Sequence, residues 1–184
     1  MIVVHTLDRL GRTVRDTLNL IHELSERMGA RHRYLHAPAL FGSAEALAML
    51  LRERTIAAAL DAAKRADIAL VGIGTPGIGS SEALLTALGL TDQERAAFDA
   101  ARPVGDVCGR YYDLAGRAIG GPVGERVLAV TLDDLRAIPT VAGIAAGREK
   151  APGILGALHG RIIDVLVCDQ QAARAVLSLD RAAR

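Results

Sequence analysis

Residues 67–88 read DIALVGIGTPGIGSSEALLTAL, and this stretch decides the fold class. Asp67 to Gly74 is an almost unbroken apolar run, the pattern of a parallel strand covered on both faces. A loop, TPGIGSS, follows it, and SEALLTAL then reads as a helix. A strand, a glycine-rich turn and a helix in succession make an α/β unit. Working outward toward the C-terminus, three more such units fill residues 126–177. Their strands are expected at Arg126–Thr131, Thr140–Ala146 and Ile162–Cys168. Thr131, with Asp134 three positions on, caps LDDLRAI, a second helix runs from about Arg148 to Leu158, and Asp169 caps the last helix. Repeated strand–helix alternation points to right-handed crossovers and a mostly parallel, Rossmann-like sheet with helices on both faces.

Toward the N-terminus, Met1–Val4 reads as a strand. Thr13–Met28 reads as a helix, because Val14, Leu18, Ile21, Leu24 and Met28 recur at three- and four-residue spacing and Gly29 punctuates the end. A short strand is expected over Arg33–Leu35, then helices over Ser43–Leu51 and Thr55–Ala66, the second with Lys64 and Arg65 in its last turn. Between the halves, Thr91 and Glu94 form a capping-box signature opening a helix to about Ala101. Val107–Tyr112 and Ala118–Ile119, joined across Asp113 and Gly116, read as a small antiparallel hairpin. Alternation on that hairpin sends one of Tyr111 and Tyr112 to the core and the other to solvent.

Composition narrows the function. The chain has 184 residues, suited to one domain, with 51% hydrophobic and 23% charged residues, a globular balance. A formal net charge of +1 without a run of like charges argues against a nucleic-acid surface on this chain, and 3% aromatic content without tryptophan offers no base-stacking platform. No apolar stretch approaches the ~20 residues of a membrane span, and no signal-peptide layout opens the chain, so a cytoplasmic location is expected. Cys108 and Cys168 stand far apart without a CxxC, and the five histidines show no ligand spacing. Neither a disulfide framework, a metal site nor a cofactor is expected.

Ligands of open α/β sheets sit beyond the carboxyl ends of the strands, where amides at helix N-termini are unpaired. Three turns qualify. Gly72, Gly74, Thr75, Gly77, Gly79 and Ser80 follow the strand at Ile73; glycines let a backbone approach an anion, and equally make a tight strand-to-helix turn. The spacing is neither the dinucleotide fingerprint nor a P-loop. In Gly105-Asp106-Val107-Cys108-Gly109-Arg110 the carboxylate can accept bonds from sugar hydroxyls, or can simply stabilise its own turn. Cys108 reads as a small buried hydrophobe before a reactive thiol. In Gly147-Arg148-Glu149-Lys150 an ammonium lies at a helix N-terminus, unfavourable without an anion and suited to a phosphate; a solvated surface lysine is the plain alternative.

The stretches YLHAPAL (34–40), ADIALVGIG (66–74), VGDVCGRYYDLAGRAI (104–119), 126–158 and IIDVLVCDQQAARAVL (162–177) together resemble the sugar-binding domain of SorC-family bacterial transcriptional regulators. The GDxxGRYYDxxG segment and the GxxK turn are the specific elements. The resemblance implies a fold similar to glucosamine-6-phosphate deaminase and ribose-phosphate isomerase. It implies one effector-binding domain over residues 1–184, binding a phosphorylated sugar or related metabolite that alters operator binding by a larger regulator. It places Asp106, Cys108 and Lys150 in the pocket, with Gly72, Gly74 and Thr75 along its wall. The family's usual Gly-Gly reads Ala146-Gly147 here. By the same comparison the chain corresponds to the C-terminal two thirds of a sensor domain, without the helix-turn-helix or the first strands and their glycine-rich phosphate loop. DNA contact would then belong to that missing helix-turn-helix, and assembly to a homodimer or homotetramer is implied.

Two other readings remain at this level. A sugar-phosphate isomerase or deaminase on the same fold needs a positioned acid–base set. The deaminase loop carries Asp-Gly-His, where this chain has Thr75-Pro76-Gly77, which favours sensing over turnover. An assembly module without a ligand is the third.

Overall fold

The fold is taken from a computed structural model that describes residues 35–183 continuously, and residues 2–4, 22–23, 26–27, 29 and 32–34 before them. The helix expected over Thr13–Met28 lies almost entirely outside the described residues. In order, the elements are β1 (Ile2–Val4), β2 (His32–Tyr34), α1 (Ala44–Leu50), α2 (Arg54–Lys64), β3 (Ile68–Gly72), α3 (Gly79–Ala87), α4 (Asp92–Ala100), β4 (Gly105–Val107) and β5 (Arg110–Tyr112). Then come α5 (Pro122–Glu125), α6 (Leu132–Arg136), β6 (Thr140–Ala145), a 3-10 turn over Arg148–Lys150, α7 (Ala151–His159), β7 (Val165–Cys168) and α8 (Gln170–Ala183).

The expected parallel pairing is present. β3, β6 and β7 form one parallel sheet in that order, with Leu70 opposite Ala142 and Gly143 opposite Leu166. β1 and β2 form a second parallel pair. The caps read from the sequence close their helices. Thr91 with Glu94, and Thr131 with Asp134, make complete capping boxes at α4 and α6, and Asp169 accepts the Ala172 amide at 2.7 Å. Ser43 does the same for α1.

The apolar run of β3 is covered unevenly. Val71 is buried in a core shared with Val141, Ala145, Ile154 and Ile162 and with Ala172 and Val176 of α8. Ile68 and Leu70 are 63% and 72% exposed, and Ile144, Val165 and Val167 are exposed on the neighbouring strands. Among the described residues, then, that apolar face of the sheet is left largely bare.

Three local expectations need refining or correcting. The antiparallel hairpin with a regular ladder pairs β4 with β5, Gly105 opposite Tyr112, around a Cys108-Gly109 turn; the one expected across Asp113 and Gly116 is also antiparallel but much shorter. Both residues of the Cys108-Gly109 turn have positive φ, 54° and 71°, as the tight turns that match strand twist require. Asp113 and Gly116 make a second bend, closed by a single bridge from Tyr112 to Ala118. Secondly, Tyr111 and Tyr112 are both buried, at 2% and 0% exposure, because the hairpin is packed on both sides. The Tyr111 ring meets Phe98 edge-on at 4.9 Å and its hydroxyl donates to the Ser81 carbonyl, while the Tyr112 hydroxyl donates to the Gly153 carbonyl.

Thirdly, residues 126–131 are not a strand: one bridge, Leu40 with Val127, is their only ladder contact among the described residues. Between the Arg126 and Thr131 carbonyls, which accept the Phe41 and Leu135 amides, three carbonyls are satisfied by a side chain instead. The Arg110 guanidinium donates to the carbonyls of Val127 (3.1 Å), Ala129 (2.8 Å) and Val130 (3.2 Å), and to that of Gly124. Val127, Leu128 and Ala129 are buried, so removing this donor strands acceptors away from water. Arg110→Leu should lower stability by about 3 kcal/mol, read as a reduced urea midpoint at unchanged m-value. A midpoint matching the parent protein would show that water takes over those carbonyls.

Candidate functional site

The candidate rim is assembled from backbone outward. Beyond β3, the Gly74 amide donates to the Asp106 carbonyl at 2.8 Å, and the Asp106 amide returns a bond to the Gly74 carbonyl at 3.3 Å. This reciprocal pair ties the glycine-rich turn to β4. Gly74 has to be a glycine: a Cβ there would overlap the Asp106 carboxylate. The first turn of α7 closes on the same spot. A Cβ at Gly153 would lie 3.1 Å from the Gly74 carbonyl and 3.3 Å from Gly105 Cα. Gly153 is three residues after Lys150, which is the N-cap residue of α7. Thus Gly74, Thr75, Asp106 and the turn carrying Lys150 are gathered at one end of the sheet.

Individual groups differ in what occupies them. Asp106 is buried, 8% exposed, and its Oδ2 accepts the Gly109 amide at 3.2 Å. It therefore holds its own turn with one oxygen while its other oxygen is packed against Gly74. The Thr75 hydroxyl is buried and finds no partner among the described residues. Gly72, exposed at the end of β3 with open space where a Cβ would stand, has no packing reason to be a glycine. Of the other turn residues, Gly77 and Gly79 adopt positive φ at the entry to α3, a structural use, and Ser80 is exposed. Its neighbour Ser81 is buried and bonded to Tyr111.

Cys108 sits at the tip of the hairpin, beside the core. Burial first, and the Asp106 carboxylate second, push its thiol up to about 11. A thiol so raised is protonated and unreactive at neutral pH. Lys150 makes no ion pair among the described residues. Its turn is held from the far side: Gly147, at φ 104°, donates its amide to Asp169 at 2.8 Å. Bonds from the Ala172 and Gly147 amides keep the Asp169 carboxyl below the ordinary aspartate range. Among the described residues no cluster of histidine, cysteine and carboxylate side chains could hold a metal ion. Nor does any described helix have the length and apolarity to cross a membrane.

The sequence reading missed Gly153 and Tyr112 as builders of this rim. A glycine inside a helix pattern, APGILGALHG, was the available signal, since such a residue costs helix stability unless something must come close.

The family model for the sugar-binding domain matches residues 2–178. The chain belongs to the sugar-binding domain family of SorC-type regulators. That is a family of regulatory domains and not of enzymes. The deoxyribonucleoside regulator of Bacillus subtilis (strain 168) is 34% identical over 163 residues, which is 89% of this chain and 50% of that protein. Among solved structures, the sugar-binding domain of a transcriptional repressor from Vibrio fischeri is similar with a TM-score of 0.78 at 29% identity, covering 89% of this chain and 64% of that one. The full-length sorbitol operon regulator SorC from Klebsiella pneumoniae gives 0.75 at 31% identity, covering 86% and 51%. The chain spans about half the length of the curated relatives it matches.

Two outcomes test this geometry. Gly105→Ala would drive a Cβ to 2.7 Å from Gly153 Cα and from the Tyr112 hydroxyl, and should cost about 2 kcal/mol, seen as a lowered Tm. Cys108 should resist iodoacetamide at pH 8, with its labelling rate by mass spectrometry climbing as pH approaches 11. Rapid labelling at pH 8 would show that the hairpin tip opens.

Proposed function

We propose that this chain is an effector-sensing domain that binds a phosphorylated sugar or related carbohydrate and controls operator binding by a longer regulator. On this reading residues 1–184 act as one effector-binding unit, and DNA contact belongs to sequence outside it. The observation that carries the proposal is the contact of Gly153 with the Gly74 carbonyl and Gly105. It brings the Asp106 turn and the Lys150 turn to one rim.

Each group then has a task suited to its chemistry. The Asp106 carboxylate accepts bonds from sugar hydroxyls, and its buried position makes each such bond count for more than it would in water. The Lys150 ammonium pairs with the phosphate, which also relieves the mismatch of a cation at a helix N-terminus. The amides of Gly72 and Thr75 supply neutral donors, Gly74 lines the wall with its own amide held by the Asp106 carbonyl, and the Thr75 hydroxyl, buried without a partner, gains one. Cys108, a protonated thiol at the hairpin tip, contributes shape and not charge. The deoxyribonucleoside and sorbitol regulators among the relatives carry names that fit a carbohydrate effector.

A thermal-shift panel of pentose and hexose phosphates tests this, on the chain and on a longer version carrying a helix-turn-helix. A ligand at about 100 times its Kd adds about 2.7 kcal/mol, a shift of several degrees. Lys150→Ala and Asp106→Asn should each abolish the shift while the unliganded Tm stays within a few degrees. No response to any member, in either version, would leave only an assembly role.

A further inference from the structure

A second charged feature lies beside the Gly147 turn. A groove of about 340 Å³ is lined by Arg148, Gln171, Arg174, Ala175 and Ser178. None of Gly74, Thr75, Asp106 or Lys150 lines it. Gln171, Arg174, Ala175 and Ser178 follow at i, i+3, i+4 and i+7, so they form one face of α8. Arg148 opens the 3-10 turn against which α8 packs. Two arginines thus line one groove, together with two neutral polar residues and no carboxylate-bearing residue.

Neither arginine has an ion-pair partner among the described residues, whereas Arg117, Arg126 and Arg136 each have one and Arg95 has two. Asp169 makes no ion pair with either arginine; its two oxygens accept the backbone amides of Gly147 and Ala172. The Glu149 carboxylate lies over Gly147. Two like charges on one groove repel each other unless an anion joins them. Gln171 in the first turn of α8, a helix of 14 residues, adds an amide donor where the helix dipole also favours negative charge.

We propose that this groove is an anion site, taking the phosphate group of a small phosphate ester through Arg148 and Arg174. The guanidinium forks suit a tetrahedral oxyanion, with Gln171 and Ser178 completing the donors. The groove shares the Gly147–Lys150 turn with the rim but adds α8, so shifts at residues 170–175, and their loss in Arg174→Gln, separate its failure from that of sugar sensing.

The probe is inorganic phosphate, followed in 15N–1H correlation spectra of the full chain at constant ionic strength set with chloride. Saturable shifts are expected at the amides of residues 147–150 and 170–175. Arg174→Gln and Arg148→Gln should each weaken binding roughly tenfold, the worth of one charge-assisted contact. Arg52→Gln, which removes the same charge from an exposed position elsewhere, should leave it unchanged. Shifts that grow linearly and match those with chloride alone would overturn the site. So would an Arg52→Gln loss equal to that of Arg174→Gln, because binding would then follow net charge and not this groove.

Discussion

The close approach of Gly153 to Gly105 and to the Gly74 carbonyl is the contact on which this architecture turns. Three backbones meet there: the turn after β3, the start of β4 and the first turn of α7. Side chains would hold them apart, so the helix gives up some propensity at Gly153, and again at Gly156 against the Asp113 carbonyl, to let them touch. Tyr112 spans the seam with a hydroxyl bond to the Gly153 carbonyl. Because the sheet, hairpin and helix share this point, the rim groups inherit their positions from packing and not from a flexible loop.

A second constraint works from the other side of the hairpin. Arg110 occupies a place where a strand was expected to satisfy residues 126–131, and its planar fork answers several carbonyls at once. A ladder would have needed a neighbouring edge; a guanidinium needs only a fixed stem. That stem is fixed because Arg110 follows the Cys108-Gly109 turn and pairs opposite Val107.

The sequence was most legible where the physics is local. The strand at Ile68–Gly72, the capping boxes at Thr91 and Thr131, and the Asp169 cap are patterns a few residues long, and the structure carries each of them. It was least legible where a distant partner decides. Cys108 is not a turn former by composition, and only the register of Gly105 with Tyr112 makes it one. Residues 126–131 look like a strand because their apolar run is buried, but the donor comes from position 110. Tyr111 and Tyr112 obey the two-residue alternation, yet both faces of the hairpin find cover. At the rim, the sequence offered two roles for Asp106, and the structure shows one oxygen already engaged in the turn role. Gly153 carried the signal of a glycine inside a helix pattern, but which backbones it admits is decided by residues far away in the chain.

The hairpin also joins two packing units that otherwise have separate membership. Tyr112 and Val107 belong to the core under the sheet, and Tyr111 to the cluster of Leu85, Leu88, Phe98 and Val123. Asp106 lies on the short rigid arm between them. One piece of backbone is thus fastened into both units, so neither can be repacked without disturbing the turn that carries Asp106.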